Sequence, residues 1–191
     1  MSKTERLCRL LAERSVRMGN FTLASGKSSS VYIDARLTTM SPEGMLLIGE
    51  AGLEQIESSG WQPDAIGGLT LGADPVAYAV SHTSASRSRP LRAFTVRKQP
   101  KTHGTGQLIE GPFKPGDRVV IAEDVITSGN SALQAIDAVT SAGGKVTGVL
   151  AVVDRQEGGR ETIEARGYAV LSLATMTEII PFFVLHDSDA G

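Results

Sequence analysis

A chain of 191 residues with 41% hydrophobic and 21% charged side chains has the composition of one globular domain with its own core, which excludes disordered, collagen-like and membrane-embedded classes. The formal net charge of −2 provides no broad positive field for nucleic acid or an anionic membrane, so any phosphate chemistry must rest on local groups and the expected partner is small. The single cysteine, Cys8, excludes an intramolecular disulfide, a Cys-rich zinc site and a redox dithiol.

Leu7, Leu10, Leu11 and Met18 recur near helical spacing, which predicts an amphipathic helix over residues 2–18 ending at Gly19. Charges at Lys3, Glu5, Arg6, Arg9, Glu13, Arg14 and Arg17 interrupt this segment, so no signal-peptide apolar stretch is expected. No window is long and apolar enough to span a bilayer, and the expected address is the cytoplasm. Phe21 to Arg36 is rich in Ser and Gly and then runs through Val31, Tyr32, Ile33 and Asp34, predicting a turn into a short strand. Ser25, Gly26 and Lys27 could donate hydrogen bonds to an anionic planar group; a Gly/Ser hairpin with a solvated Lys27 would read the same way.

Ser41 before Pro42 and Glu43 is a helix start, with Met45, Ile48, Gly52, Leu53 and Ile56 as the expected buried stripe. Strand-like and helix-like segments then alternate: Asp64 to Gly68, Ala73 to His82, Leu91 to Val96, Val119 to Ala122, Ser131 to Ala142, Val146 to Val153, and Tyr168 to Leu173. This alternation predicts an α/β domain with a central parallel sheet flanked by helices. The turn Gly67–Pro75 carries glycines that would let backbone amides approach a ligand closely. Between Val96 and Arg118 lies a long stretch without apolar period, and loops of that length inside a compact domain are usually functional. Arg97, Lys98, Lys101 and His103 stand in it beside Gly104 and Gly106, as a mobile basic lid would require, or as a solvated basic loop would show.

The sharpest signal follows. The apolar strand Val119–Ala122 ends in Glu123 and Asp124, and Val125, Ile126, Thr127, Ser128, Gly129, Asn130 and Ser131 then lead into a helix with Leu133, Ile136 and Val139 at its period. Backbone N–H groups of such a turn, with the helix N-terminus and the hydroxyls of Thr127, Ser128 and Ser131, form a cradle for a phosphate dianion. The two acids would repel that phosphate if they touched it, so they should face ribose hydroxyls or positive charge developing on a sugar. One Ser or Asp before a helix would be an ordinary cap; the whole run after a buried strand points to function. The Gly-Lys-Ser/Thr ending of a Walker A loop and the G-x-G-x-x-G of a dinucleotide site are both absent. Downstream, Asp154 and Arg155 end the apolar run Val149–Val153, where open α/β sheets place ligands, and Arg155 could grip a carboxylate with two parallel hydrogen bonds or make a plain ion pair with Asp154 or Glu157.

The run from Val119 to Ser131 resembles the phosphoribosyl pyrophosphate signature of the type I phosphoribosyltransferases, and Phe21–Arg36 resembles the hood segment of the orotate-specific members. The resemblance extends from Phe21 to about Leu173. It implies a single domain over residues 1–191, with a small N-terminal hood from residues 19–40 and the C-terminal region, and a mobile catalytic loop. It further implies orotate and 5-phosphoribosyl 1-diphosphate as substrates in pyrimidine nucleotide synthesis, Mg²⁺ as cofactor, and a homodimer whose lid acts in trans. By resemblance, Lys101, His103, Glu123 and Asp124 are catalytic. The diphosphate substrate falls to Arg97, Lys98, Lys101, His103 and the run Glu123–Ser131, and orotate to Lys27, Thr127 and Arg155. Three positions depart from the pattern of relatives: Glu123 replaces an Asp, and Ala24 and Gly72 each replace a Lys.

Overall fold

The computed structural model describes residues 1–22, 28–99 and 108–183. Helix α1, Lys3–Arg14, opens on Ser2, whose Oγ accepts the Glu5 N–H at 3.1 Å, and buries Leu7, Cys8, Leu10 and Leu11. It stops at Arg14, short of Met18, because the next residues pair as a strand. The Ser15 carbonyl accepts the Asp34 N–H at 2.9 Å and its hydroxyl lies 2.7 Å from that of Thr38 inside the protein. Strand β1, Val16–Thr22, then runs antiparallel to β2, Ser28–Ile33. β-Branched Val16 and its partner Ile33 override the apolar period that carried the helix forecast to Met18.

A short helix α2, Arg36–Thr39, leads to α3, Pro42–Ser58, where Ser41 Oγ accepts the Gly44 N–H at 3.1 Å and Pro42 takes a first-turn position that needs no N–H. Ile48, Gly52, Leu53 and Ile56 are buried as expected, but Met45 is 37% exposed. Met45 lies in the first turn, beside the still more exposed Leu46. The remaining elements are β3 (Ala65–Leu69), α4 (Ala73–Ser84), β4 (Arg92–Val96), β5 (Ile109–Glu110), β6 (Arg118–Ile126), α5 (Asn130–Ser141), β7 (Lys145–Asp154), α6 (Gly159–Glu164), β8 (Val170–Thr175) and α7 (Met176–Ile179).

Among the described residues the main sheet has the order β5-β4-β3-β6-β7-β8. All pairings are parallel except the edge, where the two residues of β5 run antiparallel to β4 inside the stretch expected to be wholly loop. The inner strands are buried on both faces. Ile66, Val120, Ala122, Leu150 and Val152 share a core with α1, α3 and α4, whereas Ala65, Val119, Ile121, Val149 and Ala151 meet Ala132, Ile136 and Val139 of α5 and Ile163 of α6. The chain leaves β3 toward β4 through α4 and leaves β6 toward β7 through α5, in opposite directions along the sheet. Their carboxyl ends therefore part at a topological switch point, where α/β sheets open a crevice. The sequence had little to say of the C-terminal segment; there α7 starts on a capping box between Thr175 and Glu178, and Ile179 is fully buried.

Candidate active site

A cleft of about 360 Å³ opens at that switch point, lined from three directions. The β2–α2 junction contributes Tyr32, Asp34 and Arg36; the loop after β3 contributes Thr70, Leu71 and Gly72; the end of β6 and the start of α5 contribute Glu123, Asp124, Val125, Thr127 and Ser131. Lys98 and Arg155 complete it.

The turn after β6 is built to leave donors free. Gly129 is the N-cap of α5 at φ +80°, and a Cβ there would lie 2.7 Å from the Gly159 carbonyl oxygen, so the turn requires glycine on both backbone and packing grounds. As a glycine, the N-cap residue brings no capping side chain to α5. Apart from the Asn130 N–H, which Ser128 Oγ accepts at 3.5 Å, no side-chain oxygen of a described residue takes up its first-turn N–H groups, so an anion could approach them. Thr127 and Ser131 border the cleft. Ser128 and Asn130 are exposed beside it, and Ile126 turns its side chain into the core, leaving only its backbone for other work.

The acidic pair behind the turn splits in character. Glu123 is 5% exposed, and burial together with the neighbouring Asp124 charge pushes its carboxyl well above the usual range. Asp124 is raised as well, by burial, while the Val125 N–H at 2.9 Å and the charge of Arg36 favour its ionised form. Its carboxylate fills the space beside Gly72: a Cβ on that glycine would stand 2.5 Å from Asp124 Oδ1. The loop itself is braced by Asp74, which accepts from the Thr70 hydroxyl at 2.7 Å and the Thr95 hydroxyl at 2.8 Å. The Thr70–Leu71 peptide is cis.

Arg155 reaches the cleft from the end of β7. Its side chain is only 8% exposed and its Nη2 pairs with Glu157 at 2.7 Å, the bland alternative the sequence left open, while also donating to the Val31 carbonyl of β2 at 3.4 Å. Its Nε is buried without a hydrogen-bond partner, an unmet donor at the cleft wall. Asp154, the other alternative partner, is instead held by Arg160 at 2.7 Å, and Arg160 also donates to the Val170 carbonyl and the Ser172 hydroxyl. Gln156, at φ +59°, fixes the turn by accepting from Thr177. Arg160 and Gln156 thus brace the turn on either side of Arg155, and Asp34 and Arg36 join the cleft, although the sequence reading gave none of the four a role. The signal available for Asp34 and Arg36 was their place at the end of the Phe21–Arg36 segment.

Among the lid cations, Lys98 lines the cleft, whereas Arg97 turns to Glu110 at 3.6 Å. Lys101 and His103, like Lys27, lie outside the described residues. Among the described residues no three His, Cys, Asp or Glu side chains form a metal-binding group, and no helix is long and apolar enough to cross a membrane.

No family model matches the chain. It is 48% identical to the orotate phosphoribosyltransferase of Aquifex aeolicus over 183 residues, covering 94% of this chain and 99% of the relative. With the orotate phosphoribosyltransferase of Rhodopirellula baltica it shares 44% identity over 92% of each chain. The crystal structure of the Mycobacterium tuberculosis orotate phosphoribosyltransferase with 5-phospho-alpha-D-ribosyl 1-diphosphate superposes at a TM-score of 0.78, with 39% identity over 93% of this chain and 99% of that one.

Proposed function

The chain belongs to the orotate phosphoribosyltransferase family and converts orotate and 5-phosphoribosyl 1-diphosphate to orotidine 5'-phosphate and pyrophosphate in pyrimidine nucleotide synthesis, and we propose that the switch-point cleft performs this reaction with the following division of labour. The ribose 5-phosphate sits on the open N-terminus of α5, between Thr127 and Ser131. Asp124 holds the ribose hydroxyls and, as the acid the Arg36 charge favours in its ionised form, stabilises positive charge developing at the anomeric carbon. Glu123, driven toward its neutral form by burial, acts as a hydrogen-bonding partner of the same sugar and not as a second full charge.

Orotate presents its carboxylate to Arg155, and a ring nitrogen attacks the anomeric carbon as the carbon–oxygen bond to pyrophosphate breaks. The observation that carries this reading is the buried, partnerless Nε of Arg155 in the same cleft as the uncapped α5 turn. Lys98, with Lys101 and His103 of the lid, takes up charge on the leaving oxygen, and closure of the lid keeps water from the activated ribose. Mg²⁺, when bound, offsets charge on the diphosphate. Such an ion would be held mainly by diphosphate oxygens and water, with the cleft carboxylate Asp124 as the protein group that could help to hold it.

We further propose a homodimer in the cytoplasm, with the lid serving the neighbour's site. Exposed Leu37 and Met40 of α2, Leu46 of α3, Tyr78 of α4 and Leu71 at the cleft's lip support such a contact, since α2 packs on both α3 and α4 and brings apolar surface up to the site. The test of function is base selection. With 5-phosphoribosyl 1-diphosphate and Mg²⁺, kcat/KM for orotate should far exceed that for uracil, which lacks the carboxylate. In Arg155→Ala the orotate KM should rise about 10- to 100-fold, the worth of a charge-assisted contact, with ribose 5-phosphate binding unchanged. Equal use of uracil and orotate by the unaltered protein would refute the assignment.

A further inference from the structure

The loop after β3 offers a diphosphate leaving group backbone amides but no basic side chain. If the 5-phosphate rests on α5, Asp124 stands between it and Gly72, so the anomeric end of the ribose and its diphosphate face the segment Leu69–Gly72. This segment has no basic side chain, and Gly72 has no room for one while Asp124 keeps its place. The nearby acid Asp74 is engaged by Thr70 and Thr95.

Among the described residues, the basic side chains lining the cleft are Arg36, Lys98 and Arg155. Arg155 is fixed at the β2 side by Glu157 and Val31, and Lys98 follows β4 at the base of the lid. Arg36, the first residue of α2, faces the same space as Leu71 and Gly72 and is near enough to Asp124 for its charge to bear on that carboxyl. Its guanidinium forms a two-point pair with Asp34, Nε to Oδ1 at 2.8 Å and Nη2 to Oδ2 at 2.9 Å. Nη1 is not engaged by any described residue, and the side chain is 45% exposed.

We propose that Arg36 is a binding residue for the pyrophosphate end of 5-phosphoribosyl 1-diphosphate, supplied by the β2–α2 junction where the loop after β3 has no cation, and restrained by Asp34 until the anion competes for it. The proposal rests on the reading of the cleft as a 5-phosphoribosyl 1-diphosphate site. Asp34 then acts against ligand binding in the free protein: it offsets the Arg36 charge and holds the guanidinium in one geometry. A merely structural Asp34–Arg36 pair would make both residues matter in the same direction. A restrained ligand-binding pair makes them matter in opposite directions.

Calorimetric titration of the unaltered chain, Arg36→Gln and Asp34→Asn distinguishes these, with pyrophosphate plus Mg²⁺ as one probe and ribose 5-phosphate as the other. Asn at position 34 keeps an oxygen to accept the Arg36 N–H, as Asp34 does at 3.2 Å. Arg36→Gln should weaken pyrophosphate binding about five- to tenfold, the worth of a charged contact discounted for exposure, and leave ribose 5-phosphate binding intact. Asp34→Asn should tighten pyrophosphate binding about twofold or more, because the freed guanidinium no longer has a competing carboxylate. Pyrophosphate binding of Arg36→Gln equal to that of the unaltered chain would overturn the proposal, as would weakening by both variants together. If the unaltered chain bound neither probe, the reading of the cleft itself would fall; ribose 5-phosphate bound normally with pyrophosphate indifferent to Arg36 would overturn only the role of Arg36.

Discussion

Glu123 shows how a buried carboxyl beside a cleft can cost stability. Its folded-state carboxyl is raised above the unfolded value of about 4.3, so the folded chain binds more protons than the unfolded one across the window between those two values. Stability contributed by this residue is therefore greatest in acid and declines as pH rises through that window. Glu123→Gln should remove the decline. Its melting temperature should exceed that of the unaltered chain at neutral pH and converge with it near pH 4, while turnover falls. A melting difference that did not change with pH would contradict the burial argument. The sequence showed Glu123 and Asp124 as a matched pair; their different environments depend on the depth of β6 in the sheet and on Gly72, more than fifty positions upstream, which no local pattern encodes. The same holds for Arg155, whose neighbours Glu157 and Val31 come from its own turn and from β2, and for Arg36, which closed the Phe21–Arg36 segment without being given a role of its own.

At the scale of elements, the buried strands and the turn into α5 were legible because their signals are local: continuous apolar runs, then Ser and Gly before a helical period. Of the elements that were not, two show why. The β1 strand was read as the end of a helix because Met18 falls near the right spacing, although the backbone of Ser15 is already bonded to Asp34. The β5 strand has two residues and exists through its pairing with β4 alone, so no periodicity could announce it. The turn after β6 makes a firm forecast. Gly129→Ala puts a side chain at positive φ and against the Gly159 backbone, which should destabilise the protein by about 1–3 kcal/mol in denaturant titration and weaken ribose 5-phosphate binding as the α5 N–H groups rotate away. The loop after β7 makes a gentler one. Arg160→Met should strand the buried Asp154 and disturb the turn holding Arg155, raising the orotate KM several-fold with little change in the KM for 5-phosphoribosyl 1-diphosphate.

For the whole molecule, the strand order places β3 and β6 side by side with their connections leaving in opposite directions, so the β3 loop meets the acidic pair and the turn that follows it, although it lies far upstream of both in sequence. β2 brings Tyr32 and Ile33 to the lining of the same cleft. If the lid works in trans, Lys101→Ala and Asp124→Asn chains, each inactive alone, should recover about a quarter of normal activity on random subunit exchange, since half the dimers are hybrids with one sound site each. Verified exchange without recovery would place the lid on its own subunit. The central claim, that this cleft couples the loss of orotate to the release of pyrophosphate at Asp124, is tested most directly by following both in one reaction. Orotate consumption by ultraviolet absorbance and pyrophosphate release should proceed at equal rates, depend on Mg²⁺, and fall about 100-fold or more in Asp124→Asn, as expected for loss of charge stabilisation in the transition state. Pyrophosphate release without orotate consumption, or an Asp124→Asn variant at the normal rate, would contradict it.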